Sequence, residues 1–404
     1  MAMARALQYM DTGVEEVVVF DRTDALRPNL GGGIQVNGGA AVLARLGLGE
    51  EILKAGLPVK SVRTRTAQGF ELLNIDVQQA VGREPSLLYK GTPMCFTIMR
   101  DSLQKLLADS LREGTIQTNK KLVGLTDDEA SGGVRLAFDD GTEDVVDMVI
   151  GADGIRSAVK KETFPGPGRD PVYANIRIQF GVADGWERAP EYSQELHQWF
   201  SEGTYALSGQ YLGLEGKPFE MFALVFADDN ASEDAENSNW EANEVKQDCL
   251  RRLSTSGQPK EVVDLCQRCE RFYEIGVFYY PSLNPWTSPS GKRVLIGDAA
   301  HAMPPFLGQG ANQAIQDAFC LAEKLSELKS GDIATVKDAL KAYERQRKLP
   351  TSAIQLESRF LGILETAGGG SGTLPSFVRD SFFFMTGKLG VAEKVFVTGA
   401  TPTV

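Results

Sequence analysis

The sequence predicts an α/β protein, α+β overall, in which a Rossmann-like domain carries an inserted mixed β-sheet domain and a helical C-terminal tail. Short β-branched runs at 15–20, 145–150 and 293–296 are each followed within three residues by an aspartate. This is typical of strands that deliver a side chain to the edge of a parallel sheet. Short alternating strands fill residues 170–285, and helical patterns follow residue 333.

The first twenty residues fit only the later half of a βαβ unit. Met1 to Tyr9 predicts a helix and Glu15 to Phe20 a strand, with Asp21 and Arg22 at its end. In dinucleotide-binding units an acidic residue at this place bonds a ribose, and a G-x-G-x-x-G motif precedes the helix. No glycine precedes Gly13. We therefore expect a truncated sequence or a misplaced start, and, as the rarer alternative, a true loss of a cofactor site.

A glycine-rich segment and two helical patterns come next. Gly31 to Val36 is either a flexible loop or a place where backbone approaches a ligand closely, and the residues alone leave both open. Ala40 to Leu46 predicts a short helix. Met99 to Leu107 predicts an amphipathic helix, in which Arg100 would by itself be an ordinary solvated arginine.

Residues 119–157 predict a three-stranded meander followed by a tight turn. The strands are NKKLVGLTDD, GVRLAFDD and DVVDMVI, with hairpin turns at Gly132-Gly133 and Asp140-Gly141. Gly151 to Ser157 (GADGIRS) follows the last apolar run. By itself it is a strand-to-helix turn.

Four short strands are predicted in the inserted domain: Asn175 to Val182, Glu195 to Phe200, Tyr205 to Tyr211 and Phe219 to Phe226. Most of their aromatic side chains are expected in the core. Arg177 is a charge inside an apolar alternation, and Tyr211 stands in a neighbouring strand. Both are candidates for facing a pocket.

The stretch Arg293 to Asn312 (RVLIGDAAHAMPPFLGQGAN) is the strongest indication of a ligand site in the sequence. A short strand delivers Asp298 into a turn stiffened by two prolines, and a helix begins near Gly310. The first free N–H groups of that helix would point back at whatever Asp298 touches. His301, beside the helix start, is interpreted as a structural hydrogen-bonder rather than as a base.

Three further segments have a predicted structure but no predicted role in a site. The acidic run Asp228 to Asn239 predicts a solvated loop. Cys266 and Cys269 are interpreted as a chance spacing on a helix surface, so no metal site is predicted. VKDALKAYERQRKL predicts a helix that ends before Pro350, and a glycine-rich break at 368–372 precedes a final helical tail.

Three of these segments, in their order and spacing, resemble the class A flavoprotein monooxygenases, the aromatic hydroxylase family that includes the zeaxanthin epoxidases. The Asp298 stretch resembles the family's flavin motif, and Gly151 to Ser157 its second fingerprint, which serves FAD and the nicotinamide coenzyme. Met99 to Leu107 resembles its cofactor-contacting arginine helix. The resemblance covers residue 1 to about residue 350 and implies FAD as cofactor and NAD(P)H as cosubstrate.

The resemblance also implies site residues. Asp298 would hold the ribityl chain, and the following helix start would stabilise negative charge on the flavin. The implied cofactor-binding residues are Asp21, Arg22, Gly33, Ile34, Gln35, Arg100, Val123, Asp153, Arg156, Asp298, Pro305, Gly308, Gly310, Ala311 and Asn312. Arg177 and Tyr211 resemble an Arg/Tyr pair of some family members and are the candidate catalytic residues.

The activity implied by the resemblance is oxygen transfer. NAD(P)H would reduce FAD, the reduced flavin would take up O2, and a flavin hydroperoxide would hydroxylate or epoxidise an aromatic or isoprenoid small molecule. Two alternatives stay open. One is a flavin-dependent oxidoreductase that inserts no oxygen, and the other is a cofactor-free binding protein of the same fold, which the absent glycine motif motivates.

Amino-acid composition argues against a nucleic-acid-binding protein and against a membrane protein. A net charge of −12 and a pI of about 4.9 argue against a general nucleic-acid or anionic-membrane role. The 404 residues, 42% hydrophobic, suit two domains with a large core. No apolar run reaches the roughly 20 residues of a transmembrane helix. Five cysteines fit a reducing compartment, while the choice between cytoplasm and organelle, and the oligomeric state, stay open.

These patterns divide the chain into six segments. They are the truncated FAD-binding domain (1–60), substrate-domain strands (61–94), the FAD-binding domain continued (95–169), the substrate-binding sheet (170–285), the FAD-binding domain continued (286–332) and the C-terminal helical region (333–404).

Overall fold

The computed structural model describes residues 1–25, 31–167, 169–188, 192–229, 242–281, 284–328, 332–369 and 374–404. Most of the predicted acidic run 228–239 and part of the predicted break 368–372 lie outside these residues. Within them the chain is a mixed α/β protein with a seven-stranded sheet and a helical C-terminal region. This confirms the predicted fold class.

The strands of the described residues are β1 Val19–Phe20, β2 Gly33–Val36, β3 Leu57–Pro58, β4 Ser61–Thr66, β5 Glu71–Asp76, β6 Leu88–Tyr89, β7 Thr92–Pro93, β8 Phe96–Met99, β9 Ile116–Gln117, β10 Leu122–Asp127, β11 Val134–Phe138, β12 Glu143–Val146, β13 Val149–Gly151, β14 Val172–Asp184, β15 Glu195–Ser201, β16 Thr204–Leu212, β17 Pro218–Ala227, β18 Arg271–Tyr279 and β19 Arg293–Leu295.

The α-helices are α1 Ala2–Tyr9, α2 Gly38–Leu43, α3 Gly49–Ala55, α4 Val77–Gly82, α5 Arg100–Asp109, α6 Ala158–Thr163, α7 Ala242–Thr255, α8 Lys260–Arg268, α9 Asp298–His301, α10 Gly310–Ser326, α11 Ile333–Glu365, α12 Ser376–Lys388 and α13 Val391–Ala400. None of these helices is both long enough and apolar enough to cross a membrane.

The large sheet has the order β18-β14-β17-β16-β15-β4-β5. β15 and β4 are parallel, and the other neighbours are antiparallel. The four strands predicted between residues 175 and 226 are confirmed, with up to three further residues at each end. Successive side chains point to opposite faces. Phe222 and Leu224 therefore pack against α7 and α8, while Met221 and Ala223 face the rest of the chain.

The parallel sheet of the Rossmann-like part consists of two separate pairs. β1 pairs with β9, and β13 pairs with β19. The predicted strand Glu15 to Phe20 is shorter than expected, since only Val19 and Phe20 find a neighbouring strand, at Ile116 and Gln117. The described residues contain no strand that joins the two pairs.

The predicted meander forms as β10, β11 and β12, with one difference. The third predicted strand is divided, because Val149 turns away from the meander and its N–H donates to Lys292 O at 2.9 Å. Its second half, β13, thereby joins β19 in parallel. This division brings Gly151 beside Leu295 and aligns the two turns that follow these strands.

Two sequence predictions are wrong. α11 does not end before Pro350 but runs through it to Glu365. The helix continues because the face beyond the proline, including Thr351 and Gln355, is buried, and this packing outweighs the lost hydrogen bond. Cys266 is not on a helix surface, since it is fully buried between α8, α7 and the sheet.

Candidate active site

Asp298 stands at the carboxyl end of β19, where Gly297 turns the chain into α9 with φ of 57°. This left-handed conformation favours glycine. The Asp298 side chain is exposed, yet desolvation by the surrounding protein raises the pKa of its carboxyl. An exposed side chain that is also desolvated lies in a cleft that is open on one side and enclosed by protein on the others. Such a carboxylate suits the hydroxyl groups of a ligand.

The start of α10 forms one wall beside Asp298. A Cβ placed on Gly310 would lie 3.9 Å from Asp298 Oδ1. Gly308 precedes the helix with φ of 62°, and no side chain caps the helix start. The first N–H groups of a 17-residue helix are therefore available to a ligand that carries negative charge.

Asn312 joins α10 to the glycine-rich segment. Its Oδ1 accepts hydrogen bonds from Asn37 N at 2.9 Å and Gly39 N at 3.0 Å, and its Nδ2 donates to Gln35 O at 3.1 Å and Gly308 O at 2.9 Å. The side chain is fully buried. Asn312 thus fixes the wall, and only its backbone is left for contact with a ligand.

The glycine-rich segment also contacts the arginine helix. Gly33 pairs with Met99 in the β2–β8 ladder, and Arg100 N donates to Gly32 O at 3.2 Å. Arg100 Cδ lies 3.3 Å from the position of a Cβ on Gly31. The exposed Arg100 side chain also acts on Asp298, since its positive charge opposes the rise of that carboxyl's pKa.

Aromatic and sulfur side chains of the large sheet pack against the glycine-rich segment. A Cβ on Gly33 would overlap the Tyr211 ring, and one on Gly32 would lie 2.7 Å from Met221 Sδ. Met221 packs with Tyr211 and with Met99, Val182, Phe180 and Phe219. Burial raises the pKa of Tyr211 to about 12, so its hydroxyl stays protonated at neutral pH and is not a general base.

Arg177 does not join Tyr211. Within β14, Ile176 and Ile178 face the main core, so Arg177 points to the opposite face, towards α7. Its Nε lies 2.6 Å from Asp228 Oδ2 and its Nη1 2.6 Å from Glu274 Oε1. The expected Arg/Tyr pair is separated because a strand alternates its side chains, and Arg177 is engaged in ion pairs away from the cleft.

The Asp153 turn lies at the same sheet edge as Asp298, because β13 and β19 are parallel neighbours. Asp153 accepts hydrogen bonds from Val159 N at 3.1 Å and from the Ser157 hydroxyl, which tie the turn to α6. The Tyr280 hydroxyl donates to Ile155 O. The exposed Arg156 completes the rim.

Three candidates lie in other sheets. Asp21 follows β1 and accepts from Thr23 N at 2.9 Å and Thr23 Oγ1 at 2.7 Å, and Arg22 beside it is exposed. Val123 is 56% exposed at a register shift in β10. Asp21 and Arg22 follow the β1–β9 pair and Val123 belongs to the β10–β12 sheet, so their contact with a cofactor stays a prediction. The remaining candidates Ile34 and Pro305 lie in β2 and in a short 3₁₀ turn before α10.

A buried ionic network behind the cleft escaped the sequence analysis. Asp317 Oδ2 accepts from His301 Nε2 at 2.5 Å and from Gly297 N at 2.9 Å, and Asp317 Oδ1 lies 2.9 Å from Arg347 Nε. The outcome agrees with the structural role expected for His301. One signal was available, because Gln316 and Asp317 are polar residues set between the apolar helix positions Ile315 and Ala318.

α11 holds the proline loop. Gln355 Nε2 donates to Tyr280 O at 2.6 Å and to Ala302 O at 2.7 Å, and Ser358 Oγ donates to Pro304 O at 2.6 Å. Sequence reasoning missed these residues because the helix was expected to end before Pro350.

Comparison with known proteins agrees with this geometry. The family described as FAD binding domain matches residues 3–356. The chain is 29% identical over 391 residues to phenazine 1,6-dicarboxylic acid hydroxylase of Lysobacter antibioticus, covering 88% of this chain and 86% of the relative. It is 28% identical over 352 residues to 3-amino-4-hydroxybenzoate 2-monooxygenase of Streptomyces platensis, covering 86% and 82%.

Solved structures show the same fold. Klebsiella pneumoniae HpxO complexed with FAD and uric acid superposes with a TM-score of 0.77 at 20% identity, covering 100% of this chain and 93% of that one. The 2,6-dihydroxypyridine-3-hydroxylase from Arthrobacter nicotinovorans gives 0.74 at 21% identity, covering 91% and 90%. The chain therefore belongs to the FAD-binding domain family, as a class A FAD-dependent monooxygenase.

Proposed function

We propose that this enzyme uses NAD(P)H and O2 to hydroxylate or epoxidise a small aromatic or isoprenoid molecule. The observation that carries the proposal is the glycine-rich segment 31–36, which has unlike surroundings on its two sides. One side offers the Asp298 carboxylate and the uncapped start of α10. The other is the apolar sheet face around Tyr211 and Met221.

The polar side fits FAD. Asp298 would accept hydrogen bonds from ribityl hydroxyls, and Arg100 would face a phosphate. The N–H groups of Gly310 and Ala311 would stabilise negative charge on the ring system. Bound FAD supplies the hydride acceptor and the site of oxygen activation.

The chain's own residues would position the flavin and the substrate and would exclude water from the site. The proline loop, held by Gln355 and Ser358, would close one side of the ring system without offering a base. Tyr211, protonated at neutral pH, would donate a hydrogen bond that orients the substrate. Met221 and Phe219 would exclude water, which otherwise diverts activated oxygen to peroxide.

The side chains around Tyr211 and Met221 also favour a particular shape and polarity of substrate. Sulfur and ring surfaces attract flat or extended apolar molecules. Relatives of this chain are named for a phenazine dicarboxylic acid and an aminohydroxybenzoate, and zeaxanthin epoxidase of Spinacia oleracea is 27% identical over 323 residues. These names support an aromatic or isoprenoid substrate.

Labelled dioxygen tests the reaction class. The purified protein is supplied with FAD, NADH or NADPH, a panel of aromatic and isoprenoid compounds, and ¹⁸O₂, and products are analysed by mass spectrometry. We expect one labelled oxygen atom per product and faster NAD(P)H oxidation in the presence of substrate. A product that is reduced or dehydrogenated without label would instead support an oxidoreductase that inserts no oxygen. Asp298→Ala serves as the inactive control.

A further inference from the structure

A polar cavity lies at the far end of the large sheet from Tyr211. It has a volume of about 580 Å³ and is lined at the β15–β16 turn by Ser201 and Thr204. Thr204 and Tyr211 are seven residues apart on β16, which is about 23 Å at 3.3 Å per strand residue. The cavity is therefore distinct from the cleft proposed for FAD and substrate.

Three arginines from two helices line this cavity. Arg251 and Arg252 come from the end of α7, which covers one face of the sheet, and Arg379 comes from α12. Arg379 packs over the Phe200 ring at 4.8 Å, and Arg252 packs over the Phe226 ring at 3.7 Å. Phe200 and Phe226 lie in the two different apolar layers of the sheet. The guanidinium groups thus converge from opposite faces.

Arg252 and Arg379 are held in the same way. Arg252 Nε lies 2.6 Å from Asp248 Oδ2, and Arg379 Nε lies 2.8 Å from Asp380 Oδ1. Each of these two guanidiniums is held through Nε by a carboxylate and lies over an aromatic ring, and Asp248 also pairs with Arg251. In Arg252 and Arg379 the carboxylates therefore do not occupy the Nη1 and Nη2 groups, which together form the two-pronged donor face of a guanidinium.

The Nη groups have donors to spare. Arg379 is only 2% exposed, and its Nη1 donates to Ser201 O at 2.6 Å. Its Nη2, like both Nη groups of Arg252, makes no hydrogen bond to any residue in the described ranges. Thr204 Oγ1 is likewise buried without a partner among those residues. The carboxylates of Glu202 and Asp380 also line the cavity. Asp248 pairs with both Arg251 and Arg252, so three carboxylates balance the three guanidinium charges and the spare donors, not a net positive charge, distinguish the cavity.

We propose that this cavity binds a phosphate group, either free phosphate or the phosphate of a small monoester. Planar guanidinium forks match a tetrahedral dianion with several oxygens, and a nearly buried arginine with a spare Nη group is costly to leave unfilled. The start of α12, where Ser376 lines the cavity without a capping side chain, adds N–H donors. The ligand would join α7, the sheet and α12.

Isothermal titration of the full chain with inorganic phosphate tests the site, at constant ionic strength. Arg251→Gln and Arg252→Gln each remove one fork, and we expect at least a tenfold loss of affinity in each. Arg251 is 62% exposed and its ion pair with Asp248 lies at the surface, so its replacement should change the free energy of unfolding little. Arg135→Gln, on the distant β11, is the matched control and should bind phosphate like the wild type.

Thermal unfolding gives the second readout. Phosphate should raise the Tm of the wild type and of Arg135→Gln more than it raises the Tm of Arg251→Gln. Tighter binding of glycerol phosphate than of inorganic phosphate assigns a phosphomonoester, and the reverse order assigns free phosphate. Absence of saturable binding, or an equal Tm rise in all variants, would overturn the proposal. None of these measurements depends on flavin or on turnover.

Discussion

His301 Nε2 and Asp317 Oδ2 lie 2.5 Å apart, and the same carboxylate oxygen accepts the Gly297 N–H at 2.9 Å. A single buried side chain on α10 therefore fixes both ends of the turn that presents Asp298. Asp317 does not face the cleft, so we assign it a positioning role.

Asp317→Asn should destabilise the protein by about 3 kcal/mol or more, because it leaves the fully buried Arg347 without its charge partner. Urea unfolding at pH 7 measures the loss. Asp139→Asn, an exposed aspartate, is the control and should change the free energy of unfolding little.

Asp317→Asn should also change how the free energy of unfolding depends on pH. Burial alone would raise the pKa of Asp317, but the charges of His301 and Arg347 outweigh it and hold the pKa at about 2. A depressed carboxyl pKa gives stability that is present above the unfolded value, near 4, and is lost as pH falls through about 2. The wild type should lose stability over this range more steeply than Asp317→Asn. Parallel curves would contradict the assignment.

Asp298→Ala should weaken FAD binding by roughly 10- to 100-fold, since a charge-assisted hydrogen bond to the cofactor is lost. Its stability without FAD should not fall, because burial disfavours the Asp298 carboxylate in the folded chain. Flavin fluorescence titration and thermal unfolding give the two values. Equal FAD affinity in variant and wild type would show that Asp298 does not contact the cofactor.

Gly33→Ala should disturb the cleft, because its Cβ would overlap the Tyr211 ring. Tyr211→Ala should cost about 3 kcal/mol on its own by emptying a buried site. The double variant should cost less than the sum of the two, since the methyl group then has room. Gly124→Ala, whose Cβ would meet an ordinary contact at 3.5 Å, is the control. Strict additivity would mean that Gly33 and Tyr211 do not touch.

Glu365→Gln should alter the pH dependence of stability. Burial raises the pKa of Glu365 to about 8, against lowering by the Tyr205 hydroxyl and the Arg379 charge, and its Oε2 has no partner in the described part of the chain. A raised carboxyl pKa gives stability that is present below the unfolded value, near 4.5, and is lost as pH rises through about 8.

We therefore expect Glu365→Gln to match the wild type near pH 5 and to exceed it near pH 8 in the free energy of unfolding. Chemical denaturation at both pH values decides this. Glu357→Gln, an exposed glutamate on the same helix, should show no difference between them. A variant that is less stable than the wild type at pH 8 would contradict the prediction.

Local patterns in the sequence predicted many elements of the fold and the succession of Asp298 and the helix start at Gly310. The strands β14 to β17 and the start of α10 at Gly310 were predicted correctly. Alternating apolar residues, glycines and prolines constrain the backbone only over a few neighbouring residues, so their effect can be read from the local sequence. The structure then showed that the Asp298 and Asp153 turns share one sheet edge, since their strands are parallel neighbours.

The tertiary structure decided which residues face one another. The face taken by Arg177 depends on the layer against which β14 packs, so its ion pairs with Asp228 and Glu274 were not visible from its own strand. The continuation of α11 through Pro350 depends on burial against distant segments, which outweighs the local cost of proline. The pairing of Asp317 with Arg347 joins residues 30 positions apart. Such contacts depend on packing in three dimensions, and no local sequence period encodes them.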